Sequence, residues 1–122
     1  MSISAYGKPL WKSITWRGLL QWVLVAFFAL AGLLNMLGTA ALLAEYRRWG
    51  YPGWFHYVTG TLELSSALLQ ARRTTAKVGA ALGAAVMAAA FLTLVFHREW
   101  LHAAFPLTVF FALIVSRTTI QP

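Results

Sequence analysis

The chain has 122 residues, of which 60% are hydrophobic and only 11% are charged, and its net charge is +7. Soluble domains carry about 25% charged residues, so this composition, with a mean hydropathy of +0.67, predicts an integral membrane protein. The ten lysines and arginines lie in short clusters between apolar runs, as topology signals do, and no nucleic-acid partner is expected.

The first 18 residues combine positive charge with tryptophan. The residues concerned are Lys8, Lys12, Arg17, Trp11 and Trp16. Such a mixture predicts an amphipathic segment, residues 1–18, at the cytoplasmic surface of the membrane. Residues 19–44 follow without a charge, and these 26 positions exceed the 7–15 residues of a signal-peptide core, so they predict the first transmembrane helix. Its least lipid-compatible residue is Asn35.

An aromatic turn interrupts the apolar pattern after the first helix. Residues 45–57 contain Arg47 and Arg48, then glycine and proline among aromatic side chains. The simpler interpretation is an interfacial belt anchor, and the sharper one is a mouth over an amphipathic ligand. The candidate mouth residues on the outer side are Trp49, Tyr51, Trp54, His56 and His97.

The second predicted helix, residues 52–71 with Pro52 in its first turn, carries the one acidic residue within a predicted span. Its polar residues recur at intervals of four, three and four and so share a helical face: Thr59, Glu63, Ser66 and Gln70. A charge near the bilayer centre costs about 2.5–3.5 kcal/mol on insertion scales. We therefore expect Glu63 to be buried, uncharged and hydrogen-bonded, in a polar core shared with Asn35.

Two further spans are predicted. Residues 78–96 are 19 uncharged positions that include Gly79 and Gly83, whose spacing predicts close backbone packing, within one bundle in preference to a dimer. Residues 101–116 form the shortest candidate, in which Pro106 either begins the helix or kinks it. A re-entrant segment is the alternative for this last span.

These elements predict an all-α fold, an integral membrane four-helix bundle over residues 19–117 with a polar tail at 118–122. If both termini are cytoplasmic, the inner side holds seven of the basic residues: Lys8, Lys12, Arg17, Arg72, Arg73, Lys77 and Arg117. The outer side then holds three: Arg47, Arg48 and Arg98. This excess favours cytoplasmic termini and puts the aromatic turn and residues 97–102 on the same outer side.

Several kinds of catalysis have no candidate residues. The chain contains neither cysteine nor aspartate, so thiol, hydrolytic and metal-dependent chemistry are not expected, and no metal site is predicted. A haem held by His56, His97 or His102 is disfavoured, since these histidines suit interfacial hydrogen bonding better. Redox activity would require a bound cofactor or a partner.

Three segments occur together in a specific combination: residues 28–38 (FALAGLLNMLG), 49–55 (WGYPGWF) and 60–64 (GTLEL), with a third span that ends at His97. In this combination the chain resembles the DoxX-like family of small four-helix membrane proteins, over about residues 15–115. The resemblance implies a bacterial inner-membrane protein, and named relatives are membrane subunits of quinone-linked sulfur oxidoreductases. Many relatives carry lysine where this chain has Asn35, so here Glu63 can receive only a hydrogen bond from that position.

Two functions of different kinds remain open. In the first, the chain is an accessory or anchor subunit of a quinone-linked redox system, not catalytic alone, with a quinone head group near Trp49, Tyr51 and Trp54 while Glu63 buffers or relays a proton. In the second, it is a non-enzymatic binding or assembly module whose polar core is structural and whose faces contact another membrane or periplasmic protein. The bilayer is a partner in both, and homo-oligomerisation stays open.

Overall fold

The computed structural model describes residues 15–117, so most of the predicted amphipathic segment 1–18 and all of the tail 118–122 lie outside the described residues. The helices are α1 (Trp16–Leu37), α2 (Ala40–Arg48), α3 (Phe55–Ala71), α4 (Ala76–Phe96) and α5 (Trp100–Arg117). No strand occurs within the described range, which confirms the all-α prediction. The predicted count of four helices is wrong by one.

The extra helix arises because the predicted first span, residues 19–44, is divided at Gly38. This glycine has a left-handed φ of 64°, and its N–H bonds the carbonyls of Leu34 and Asn35, which ends α1. Thr39 then caps α2 by accepting a hydrogen bond from the N–H of Leu42 (3.4 Å). An uncharged run does not reveal this break, because apolar residues suit either one long helix or two shorter ones.

Three helices are long and apolar enough to cross a membrane by length and composition: α1, α4 and α5. Helix α3 has 17 residues and begins at Phe55, so Pro52 lies in the preceding turn and not in the first helical turn as predicted. At 1.5 Å per residue α3 is about 26 Å long, slightly less than the ~30 Å hydrocarbon core. In helix α5, Pro106 lies inside the helix and does not begin it.

The helices pack in the order α1, α3, α4 and α5, and α5 also touches α1. Glycines allow the close contacts of α3 with α1 and with α4. A Cβ at Gly32 would lie 2.9 Å from the backbone N of Leu64, and one at Gly79 would lie 2.5 Å from that of Gln70. A Cβ at Gly83 would lie 2.8 Å from the side-chain Oγ of Ser66. The Gly79–Gly83 pair therefore packs α4 on α3 within one chain.

The lateral surface of the bundle is apolar. Large side chains such as Leu19, Leu68 and Leu101 are well over half exposed, whereas Phe28 and Leu113 fill the centre. A soluble protein would not present so many such side chains to water, so this surface faces lipid. The predicted class of membrane protein is confirmed by the three apolar helices.

Candidate functional site

A buried polar cluster joins α1, α2 and α3. Glu63 is the central residue of α3 and only 4% exposed, and its Oε1 accepts a hydrogen bond from Nδ2 of Asn35 (2.7 Å). The same amide nitrogen also donates to the carbonyl of Ala31 (3.1 Å). On its other side the Oδ1 of Asn35 accepts from the hydroxyl of Tyr46 (2.7 Å). Asn35 thus connects the carboxyl group of α3 to the phenol of α2.

Tyr46 reaches this cluster only because the first span is broken. Asn35 and Tyr46 are eleven residues apart, which in one continuous helix would separate them by about 16 Å along the axis. His56 stabilises the break, since its Nδ1 donates to the carbonyl of Asn35 (2.7 Å) and its ring lies against Gly38. A Cβ at Gly38 would lie 3.0 Å from that ring, so the position needs glycine for space as well as for φ.

The rest of the predicted polar stripe serves a different contact. The hydroxyl of Ser66 donates to the carbonyl of Gly79 (2.8 Å), and Nε2 of Gln70 donates to that hydroxyl (2.9 Å). These bonds join α3 to α4 and not to α1. Thr59 bonds the carbonyl of Phe55 in its own helix (3.4 Å). Four of the five predicted core residues therefore form two separate pairs, Glu63 with Asn35 and Ser66 with Gln70, because a helical stripe of this length faces two neighbouring helices.

An open groove lies between the aromatic turn and the second half of α4. Its volume is about 440 Å³, and it is lined by Trp49, Gly50, Tyr51, Ala89, Leu92, Thr93, Phe96 and His97. Gly50, with φ of 84°, ends α2, and the N–H of Tyr51 bonds the carbonyl of Tyr46. This Schellman turn directs Tyr51 towards α4, where its hydroxyl meets Oγ1 of Thr93 at 2.5 Å.

The polar groups of the groove present acceptors. Thr93 donates its hydroxyl hydrogen to the carbonyl of Ala89 (3.0 Å), so the phenol of Tyr51 is the donor in the Tyr51–Thr93 bond and keeps a lone pair free. His97 Nδ1 lies 2.9 Å from the carbonyl of Thr93, which can only accept, so Nδ1 carries the hydrogen. In the neutral ring Nε2 is then an acceptor. The groove suits a flat apolar ligand that carries hydroxyl donors.

Beside this groove, an ionic clamp joins the turn that follows α2 to the turn between α4 and α5. Glu99 pairs with Arg48 and also accepts from Nε1 of Trp49 (2.9 Å). These two donors lower the pKa of Glu99 to about 2. Arg98 directs Glu99 towards them with a left-handed φ of 58°, a conformation that costs a non-glycine residue roughly 1–2 kcal/mol. The clamp fixes the position of Trp49 and so the width of the groove.

The predicted mouth residues do not all meet. Trp49, Tyr51 and His97 line the groove, whereas Trp54 is 61% exposed elsewhere and His56 is buried against Gly38. The three histidines also lie in different places. His97 lines the groove and His56 contacts Gly38, whereas His102 bonds Glu99 (3.3 Å) at the surface. Within residues 15–117 no cluster of three or more potential metal-ligating side chains occurs.

Three contributing residues were missed by the sequence analysis: Tyr46, Glu99 and Leu92. Tyr46 could not be found without the break at Gly38. Glu99 did have a signal, because the predicted topology already put its turn and Arg48 on the same side. Leu92 resembles every other leucine in an apolar span.

The family model described as the DoxX-like family matches residues 19–116. No curated protein and no solved structure matches the chain.

Proposed function

This chain belongs to the DoxX-like family, and we propose that it is an accessory membrane subunit of a quinone-linked redox system that holds the quinone head group in the groove beside Trp49 and Tyr51. A chain without cysteine needs a bound cofactor or a partner for redox chemistry, and here we assign the electron transfer to a partner protein. The subunit itself binds and positions the lipid-soluble carrier.

The observation that carries this proposal is the chemistry of the groove. Its walls are aromatic and aliphatic, and it opens on the lipid-facing side of α4, so an isoprenoid tail can remain in the bilayer. The free acceptors are the phenol oxygen of Tyr51 and, in the neutral ring, Nε2 of His97. Quinols donate through two hydroxyl groups and quinones only accept, so these acceptors favour the reduced form of the carrier.

A second candidate function is a non-enzymatic assembly module. It is favoured by the side-chain hydrogen bonds among Asn35, Tyr46 and Glu63, none of which reaches a side chain that lines the groove. An amide between a carboxyl group and a phenol fixes their positions, which suits a structural core better than a proton path. In this alternative the exposed apolar faces bind a membrane or periplasmic protein, or a second copy of the chain.

We further propose that residues 19–117 form one domain of the bacterial inner membrane that crosses it four times, α3 included. Antiparallel packing puts Lys77 and Arg117 at one end of the bundle and Arg48 and Arg98 at the other. The basic excess of the chain lies at the first of these ends, which supports cytoplasmic N- and C-termini.

Quinol binding can be tested with the protein purified in detergent and titrated with a short-chain ubiquinol or menaquinol under reducing conditions. Saturable quenching of tryptophan fluorescence is expected, with weaker quenching by the corresponding quinone. The His97→Ala variant should bind about three- to tenfold more weakly, the range for one lost hydrogen bond. The control is His102→Ala, which removes an exposed histidine outside the groove.

Organic extraction of the protein from native membranes gives an independent measurement, because a bound carrier should copurify and show quinone absorbance. Equal affinities of the two histidine variants would contradict the groove assignment. If wild-type protein neither quenches saturably nor carries extractable quinone, the redox role fails and the assembly module is favoured.

A further inference from the structure

A second groove lies at the opposite end of the bundle, and we propose that it binds an anionic phospholipid, with the phosphate group between Lys77 and Arg117 and an acyl chain along the apolar floor. The groove has a volume of about 380 Å³ and is lined by Lys77, Ala80, Ala81, Ala84, Leu113, Ile114 and Arg117. This site does not depend on the quinone site, which α4 presents at its other end.

Helix direction brings the two cations together. Lys77 is the second residue of α4 and Arg117 is the last residue of α5, and the two helices pack antiparallel. Both residues therefore lie at the level where a span leaves the hydrocarbon core. Between them α4 presents only alanines to the groove, and their small side chains leave its floor open.

Within residues 15–117, no acidic side chain balances the charge of this end. The three acidic side chains of the chain are Glu45, Glu63 and Glu99. Glu45 and Glu99 pair with Arg48 at the far end, and Glu63 is bonded to Asn35. No carboxylate in the described part of the chain forms an ion pair with Lys77 or Arg117, so charge complementarity calls for an anion from outside.

Arg117 adds a second observation. Its Nε is buried and has no hydrogen-bond partner within the described residues. A buried donor left unpaired is costly, and more so when it belongs to a charged group. The guanidinium plane matches two oxygens of a phosphate diester, while the point charge of Lys77 attracts the same group from α4.

The floor distinguishes a lipid from a soluble anion. Apart from the two cations, every lining residue is aliphatic, and Ile114 is 47% exposed on the lipid-facing surface. Inorganic phosphate would contact the cations and leave this surface uncovered, whereas a phospholipid covers it with an acyl chain. Basic sites between transmembrane helices near the headgroup region recognise anionic lipids by this combination.

Native mass spectrometry of the detergent-purified chain, incubated with phosphatidylglycerol or phosphatidylcholine, tests the site. Wild type should retain one phosphatidylglycerol and little phosphatidylcholine. In the Lys77→Gln/Arg117→Gln variant the amount of retained phosphatidylglycerol should fall by roughly tenfold or more, since each cation near the headgroup adds to the affinity for an anionic lipid. The control is Arg72→Gln/Arg73→Gln, which removes the same charge at the same end without touching the groove and should change retention less than about twofold.

A steric variant tests the site separately from charge. Ala81 is exposed and lines the floor, so Ala81→Trp should block the acyl chain while it leaves both cations and the fold intact, as circular dichroism will verify. If both double variants lose phosphatidylglycerol equally, the lipid is held by general surface charge and not by this groove. Displacement by inorganic phosphate alone, equal retention of phosphatidylcholine, or a dimer mass in place of the lipid adduct would each overturn the proposal.

Discussion

Asn35 donates its side-chain amide to Oε1 of Glu63 at 2.7 Å, across the contact between α1 and α3. The pair is buried, and it marks the place where the backbone of α1 is about to end. Because His56 bonds the carbonyl of Asn35 and Tyr46 bonds its Oδ1, a single residue links the acidic group to the break at Gly38. Variants around Asn35 therefore test both the polar core and the helix break.

Glu63→Gln should insert and fold nearly as well as wild type, because glutamine keeps the size and an oxygen that accepts from Asn35. Glu63→Lys should fail, because a lysine offers no acceptor and brings an unpaired charge into the bundle. Thermal unfolding in detergent and yield in the membrane fraction measure both effects, with Glu45→Gln as an exposed control. A stable lysine variant would show that water or a partner reaches this position.

Tyr46→Phe removes the phenol that Asn35 accepts from and keeps the ring. We expect a loss of about 1 kcal/mol in unfolding free energy, the usual size of one hydrogen bond. In a double-mutant cycle with Asn35→Ala the two effects should be clearly non-additive, because both variants break the same bond. Strictly additive effects would mean that α2 does not fold back onto Asn35.

Gly83→Leu should separate α4 from α3. A Cβ alone would lie 2.8 Å from Oγ of Ser66 and 2.9 Å from the ring of Phe28, and overpacking of this kind typically costs about 1–3 kcal/mol. Gly53→Leu is the matched control, since nothing lies within 4 Å of a Cβ at that position. If both variants unfold at the same temperature as wild type, the close contact between α3 and α4 is wrong.

Acid should weaken the clamp between the turn after α2 and the turn before α5. The pKa of Glu99 is lowered from 4.5 to about 2 by Arg48 and Trp49, so the folded state favours the ionised form. The stability that this contributes is complete above about pH 5 and is lost as the pH falls towards 2.

Glu99→Gln should therefore unfold at a lower temperature than wild type at pH 6, by a small margin because the pair is screened by solvent, and the difference should vanish only as the pH falls to about 2. Arg47→Gln changes the charge of the same end, and since the described partners of Glu99 are Arg48, Trp49 and His102, it should leave the pH profile unchanged. A difference that persists unchanged at low pH would show that Glu99 does not act through its charge.

The orientation of the bundle is open to a direct measurement. Reporter fusions after Gln121 should report a cytoplasmic C-terminus, and insertions within residues 47–53 should report an outer aromatic turn. The expectation follows from the predicted distribution of the basic residues, seven on the inner side and three on the outer side. Either reporter on the opposite side would contradict the predicted orientation.

Composition and local pattern were enough for several conclusions. The low charged fraction and the long apolar runs predicted a helical membrane protein, and the segments around Asn35, Tyr51 and Glu63 identified the family, which the match over residues 19–116 confirms. These properties are carried by neighbouring residues, so they are readable from the sequence alone. The position of Glu63 within an apolar span also predicted that other polar groups would lie near it.

Tertiary structure alone decided which of those groups meet. Whether Gly38 continues a helix or ends it depends on the ring of His56 and the phenol of Tyr46, which arrive from other parts of the chain. The rotation of α3 between two neighbours sends Glu63 to α1 and Ser66 to α4. Helical periodicity shows that residues share a face, but crossing angles and the close approach of backbones at glycines determine what that face touches.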